Sequence, residues 1–155
     1  MADKKAQAQQ VYGTICAALD DMGWTYQKDD ERLAVFFGVN GDFLPMNMII
    51  VVEEEQQALC LLSELPFNMS EDKLVEGAIA VCQANYNMAD GGFDYSLKDG
   101  RISFRVAAAY HNSTIGKGLV KYLINCACVM VEKHGKDFFA LNNGTMSLSE
   151  FMTNE

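Results

Sequence analysis

Basic residues are scarce in this chain. Lys and Arg number 12 against 21 Asp and Glu, for a formal net charge of −9 at pH 7. A surface of that sign repels nucleic acid and anionic lipid, both of which recruit basic patches, and it tolerates a cationic partner. Proline occurs twice, and no repeat, low-complexity tract or linker divides the sequence. A single domain over residues 1–155 is therefore expected. The five cysteines (Cys16, Cys60, Cys82, Cys126, Cys128) are odd in number and contain no CxxC pair. A closed disulfide framework is excluded, and buried reduced thiols in a reducing cytoplasm are expected. The opening residues from Met1 to Gln7 supply no apolar h-region, so no secretory signal is read there. The most apolar stretch, residues 119–131, falls short of the ~20 residues a membrane span needs.

What the chain does have is 50% hydrophobic residues beside 21% charged, enough to bury a sizeable core. The stretch Leu119 to Val131 is its centre. Only Lys121 and Asn125 interrupt the apolar run. It sits within a helix predicted from about Thr114 to His134, with Ser113 as N-cap and Gly135 as the stop. A helix on a soluble core needs one apolar stripe, and this one is apolar nearly all round. One side is expected to cover a sheet. The other is expected to meet a second copy of the chain through Val120, Ile124, Ala127 and Val131.

Helix periodicity marks residues 4–22, where Val11, Ile15 and Leu19 recur every fourth position and Gly23 follows as terminator; Gln7 is placed outward. Alternation then marks strands at residues 24–28, 32–39, 46–53 and 58–64, joined by short turns into an antiparallel meander. Met46, Met48, Ile50 and Val52 share one face of the third strand, while Ile49 and Val51 make its other face apolar too. Leu65 to Met69 reads as a connector. Ser70 with Glu71 and Asp72 opens a second helix that runs to about Asn87. Phe93, Tyr95 and Leu97 alternate toward Asp99-Gly100, and Ile102, Phe104 and Val106 alternate away from it, the signature of a hairpin. Its predicted register sets Leu97 opposite Ile102, Tyr95 opposite Phe104 and Phe93 opposite Val106. Ser147 to Glu150 has the form of a capping box for one last helical turn, with a loose tail from Met152. The order α-β-β-β-β-α-β-β-α defines an α+β fold, an antiparallel sheet with helices packed against it.

Catalytic and metal constellations are hard to assemble. Cys126 and Cys128 lie two apart on a helix and point in different directions, and His111 and His134 sit at opposite ends of it. No catalytic, metal or cofactor residues are assigned. One alternative remains, a small anionic group held at the start of the third helix by His111, Ser113 and Lys117, in a binding or enzymatic domain. Thr114-Ile115-Gly116-Lys117-Gly118 fails the phosphate-loop spacing. Nine methionines raise another option, since flexible Met side chains line surfaces that bind varied peptides. Met46 and Met48, on one strand face, are the candidate groove.

Several stretches resemble the YbjN family of bacterial proteins, often labelled sensory transduction regulators. They are Leu65-Pro66-Phe67-Asn68, Asn85, Gly92-Phe93, the hairpin Asp99-Gly100-Arg101-Ile102-Ser103-Phe104-Arg105, Gly144, and Ser147-Leu148-Ser149-Glu150. The resemblance runs from about Gly23 onward. The family is similar in fold to the acidic homodimeric chaperones of type III secretion, which hold an extended segment of a secreted protein. The resemblance implies a similar α+β homodimer with a non-enzymatic role in binding a protein or peptide; the charge and the short apolar run argue against nucleic-acid and membrane partners, and the cysteines for the cytoplasm. The resemblance carries no functional residues to specific positions.

Overall fold

The computed structural model of the protein describes residues 3–154. In chain order its elements are α1 (Lys4–Asp21), β1 (Gln27–Asp29), β2 (Ala34–Asn40), β3 (Pro45–Glu53) and β4 (Ala58–Asn68). A 3-10 turn (Glu71–Lys73) then leads into α2 (Leu74–Asn85), β5 (Gly92–Tyr95), β6 (Arg101–Ala109), α3 (Lys117–Asn142) and α4 (Leu148–Asn154). The six strands form one antiparallel sheet in the order β1-β2-β3-β4-β6-β5. This is the expected α+β architecture, with α4 added at the end.

Alternation sorts the strand side chains onto two faces. Val35 and Phe37, Met46 to Val52 by twos, Leu59 and Leu61, and Ile102, Phe104 and Val106 all point inward. They join Ile15 and Leu19 of α1, Ala80 and Val81 of α2, and the buried stripe of α3 in one continuous core. The helices thus gather on a single face of the sheet, and among the described residues no helix lies over the other face.

The third helix differs most from expectation. It starts at Lys117 with Gly116 as N-cap, and it runs through Gly135 to Asn142. Gly135 sits inside the helix and not at its end, and a Cβ there would lie 2.6 Å from Leu44 Cδ1. The helix stops instead at Asn143 and Gly144, the latter at φ +78. Packing within the chain covers only part of its apolar surface, since Leu119, Tyr122 and Val129 stay 37%, 50% and 48% exposed. Strands β4 and β6 lie along it, and α1, α2 and α4 also pack against it.

Three further departures have local causes. The residues read as a connector extend β4 to Asn68, past the last β3 pair at Glu64, so Pro66 falls where the ladder to β6 shifts register. The β5–β6 register pairs Phe93 with Phe104 and Tyr95 with Ile102. Ser96 N–H donates to Arg101 O at 2.9 Å and Gly100 N–H to Ser96 O at 2.8 Å, so the loop is longer than Asp-Gly alone and Leu97 is left exposed. Gln7 is buried, not outward. Its Nε2 donates to Ser113 O at 2.6 Å and Tyr110 O at 3.2 Å, its Oε1 accepts from Gln57 Nε2 at 2.8 Å, and Gln57 Oε1 lies 3.2 Å from His111 Nδ1. This network ties α1 to two loops, and it steadies Gln57 at φ +48, a region that costs a non-glycine residue roughly 1–2 kcal/mol.

The capping box forms as expected. Ser147 N–H donates to Glu150 Oε2 at 2.7 Å, and Glu150 N–H donates back to Ser147 Oγ at 3.2 Å. Helix α4 continues to Asn154 where a loose tail was expected, because Phe151 is fully buried and stacks on Phe138 at 5.4 Å.

Candidate functional site

The uncovered sheet face is built from the residues that alternate away from the core. Cross-strand pairing aligns Gln27, Phe36, Ile49, Leu62, Arg105 and Gly92 in one row across all the strands. Beside it run Gly38, Asn47, Glu64, Ser103 and Asp94. On the other flank lie Val51, Cys60 and Ala107. The result is an apolar strip, Phe36–Ile49–Leu62 with Val51 and Cys60, bordered by a row of amide, hydroxyl and carboxylate groups. A groove of about 840 Å³ follows these rows from Thr25 and Tyr26 to Tyr95 and Ser96. Phe36 is 39% exposed there.

The electrostatics of this face are nearly balanced. Arg105 donates to Asp94 through both Nε (2.7 Å) and Nη2 (3.0 Å), a bidentate pair that holds the guanidinium pKa above its usual value. Arg101 lies 3.6 Å from Asp99 and 3.9 Å from Glu64. Cys60 is half-buried in the floor, and burial pushes its thiol pKa up, which disfavours a nucleophilic thiolate. Such a surface can lay an extended chain along apolar floor and satisfy its polar groups at the border. Among the described residues, no group of three His, Cys, Asp or Glu side chains is placed to hold a metal ion.

The residues proposed from sequence fall elsewhere. Val120, Ile124, Ala127 and Val131 are 0–1% exposed. They face the core of their own chain, so the expected interface with a second copy cannot be formed by them. Met46 and Met48, each 3% exposed, also face inward. Met48 borders the sheet-face groove from beneath. Met46 borders a separate cleft of about 700 Å³ between the β2–β3 turn and α3. They do not form one peptide groove. The alternative anion residues are each turned to another protein group: His111 Nδ1 lies 3.2 Å from Gln57 Oε1, Ser113 O accepts from Gln7 Nε2, and Lys117 Nζ sits 2.7 Å from Asp21 Oδ2. The open face went unassigned although Ile49 and Val51 signalled it, because an apolar second face also reads as a covered central strand.

The fold defines an α+β protein of the type III secretion chaperone-like class, a helix-backed antiparallel sheet with one face bare. The chain belongs to the YbjN family, whose description is "Putative bacterial sensory transduction regulator" and whose profile matches residues 12–140. The crystal structure of YbjN, a "putative transcription regulator" from E. coli, is similar at TM-score 0.61 and 10% identity, over 86% of this chain and 92% of that one. The HopA1–SchA chaperone–effector complex is similar at TM-score 0.50 and 11% identity, over 78% of this chain and 90% of the other. Comparison with curated sequences gives no match. No helix among the described residues is long and apolar enough to cross a membrane.

Proposed function

We propose that the chain is a non-enzymatic protein-binding module, chaperone-like or regulatory, that holds a segment of another protein against its open sheet face. The observation that carries this reading is the apolar row Phe36–Ile49–Leu62, left bare across the middle of a sheet whose other face is fully packed. Monomeric proteins rarely leave a contiguous apolar strip uncovered without a binding use. Family membership and the likeness to a chaperone–effector complex support a partner-binding role. Five free cysteines suit the cytoplasm as its place of action.

We further read the working form as a homodimer, with its seam moved from the buried face of α3 to α2. Val75 and Tyr86 are 70% and 72% exposed, Ile79 is 42% exposed, and Cys82 is exposed between them. Spacing puts Val75, Ile79 and Cys82 on one stripe of the helix, and Tyr86 follows as its C-cap.

Gly38 offers a direct test of the groove. A Cβ built there meets nothing closer than Asn47 Oδ1 and Met46 O, both at 3.8 Å, so a large side chain fits the fold and projects into the groove. Affinity capture from native lysate should retain one specific protein on the unaltered chain and lose it on Gly38→Trp. A partner retained equally by both would remove the open face as the site. An empty capture would argue against the protein-binding reading itself.

A further inference from the structure

Strand β6 continues after its outer neighbour stops. β5 pairs with it only from Ile102 to Arg105, whereas β4 pairs with it through Ala109. Two hydrogen bonds fix which way the backbone points. Tyr110 N–H donates to Gln57 O at 2.8 Å, toward the β4 side, and Arg101 O accepts from Ser96 N–H at 2.9 Å, on the outer side. Successive residues of an antiparallel strand alternate between neighbours. Arg101, Ser103, Arg105, Ala107 and Ala109 therefore all direct N–H and C=O outward. The first three meet β5 or the loop that leads from it. Ala107 and Ala109 have no hydrogen-bonding partner among the described residues, and both are exposed.

This edge carries no charge, proline or bulge, features that usually guard one. β1 is three residues long and carries Lys28 and Asp29, and β5 is four residues long and carries Asp94. The β6 edge reads Val106-Ala107-Ala108-Ala109, with no charge and little bulk to hold a strand away. Its end is acidic. Glu53 pairs with Ala58, which pairs with Ala109, and Glu53 O accepts from the Tyr110 hydroxyl at 3.4 Å. Neither Glu53 nor Glu54 forms an ion pair among the described residues.

We propose that the free edge of β6 at Ala107 and Ala109 accepts a seventh strand, an extended basic segment of a partner protein. The inference rests on the partner-binding reading but uses a different surface from the groove. Backbone pairing supplies the attachment, as in other strand additions. The net charge of −9, with Glu53 and Glu54 at this end of the sheet, selects Lys and Arg on the incoming strand.

The test uses a labelled short peptide of alternating valine and lysine, its analogue N-methylated on alternate residues, and a version with glutamate in place of lysine. Only the first should bind the full chain well, with affinity at least about tenfold above the other two. The Ala107 and Ala109 amides should gain protection from hydrogen exchange. Ala107→Pro removes an outward donor and leaves the ladder to β4 intact, so it should lose the peptide and keep the fold. If that variant does not fold, the N-methylated peptide on the unaltered chain decides. Absence of binding, equal binding of the methylated peptide, or edge pairing with a second copy would each overturn the proposal. So would loss of the peptide on Gly38→Trp with Ala107→Pro unaffected, which would place it in the groove.

Discussion

Glu150 shows how a single carboxylate shapes this molecule. The Ser147 backbone N–H donates to it, joined by the Ser147 hydroxyl, and together they hold its pKa below the ordinary glutamate value. Asp30, which accepts from the Tyr12 hydroxyl and then from Lys28, is held low in the same way, as is Asp21 beside Lys117. A carboxyl depressed in the folded state contributes stability above its unfolded pKa, ~4, and loses that contribution as pH falls through the folded value. The melting temperature is therefore expected to fall as pH drops below about 4. Glu150→Gln keeps an acceptor oxygen for Ser147 but cannot titrate, so its pH profile should be flatter in that window. Parallel profiles for variant and parent would show that the cap does not depend on Glu150 ionisation.

At the scale of elements, α4 is the shortest of the described α-helices, and Phe151 is its one buried side chain. Phe151 is fully buried and stacks on Phe138, which meets Phe93 edge-on at 5.2 Å. Phe151→Ala should cost about 3–5 kcal/mol, the usual range for a buried phenylalanine. Urea unfolding would read this as a lower midpoint, and exchange of the α4 amides should quicken. An unchanged midpoint would mean that α4 is not part of the cooperative fold. The capping box announced this helix in sequence, but its length was hidden, since Phe151 gains its partner only from α3. The β5–β6 hairpin divides similarly. Alternation at Phe93, Phe104 and Val106 revealed which side chains face inward. The pairing slipped by two residues because Ser96 and Arg101 close a longer loop. A slip of two preserves faces, so the core was legible while the register was not. Gly135 misled for a different reason: it was read as a terminator, and it sits inside the helix beside Leu44, distant in the chain.

For the whole molecule, sequence conveyed the architecture and misplaced the surfaces. An all-round apolar helix in α3 looked like a seam between copies; α1, α2 and α4 cover part of it from within the chain, while Leu119, Tyr122 and Val129 stay exposed. No single-helix pattern distinguishes these two ways of burying a flank. The exposed stripe on α2 is now the expected seam. Ile79→Asp alters a residue outside the core, so the variant should fold and sediment as a monomer where the parent sediments as a dimer. A monomeric parent, or a dimer that survives the substitution, would remove α2 from that role. The acid excess acts at this scale too, since it sets which partners approach either the open face or the free edge.

The glutamines that link α1 to the loops also settle the state of an imidazole. Gln7 uses its side-chain nitrogen on two carbonyl oxygens, so only its oxygen is left to receive the nitrogen of Gln57. The oxygen of Gln57 then faces His111, and an oxygen can only accept. His111 must carry its hydrogen on Nδ1, with the lone pair on Nε2. The tautomer of His111 is decided by a glutamine on the first helix, at the far end of the sequence from the strand that precedes it.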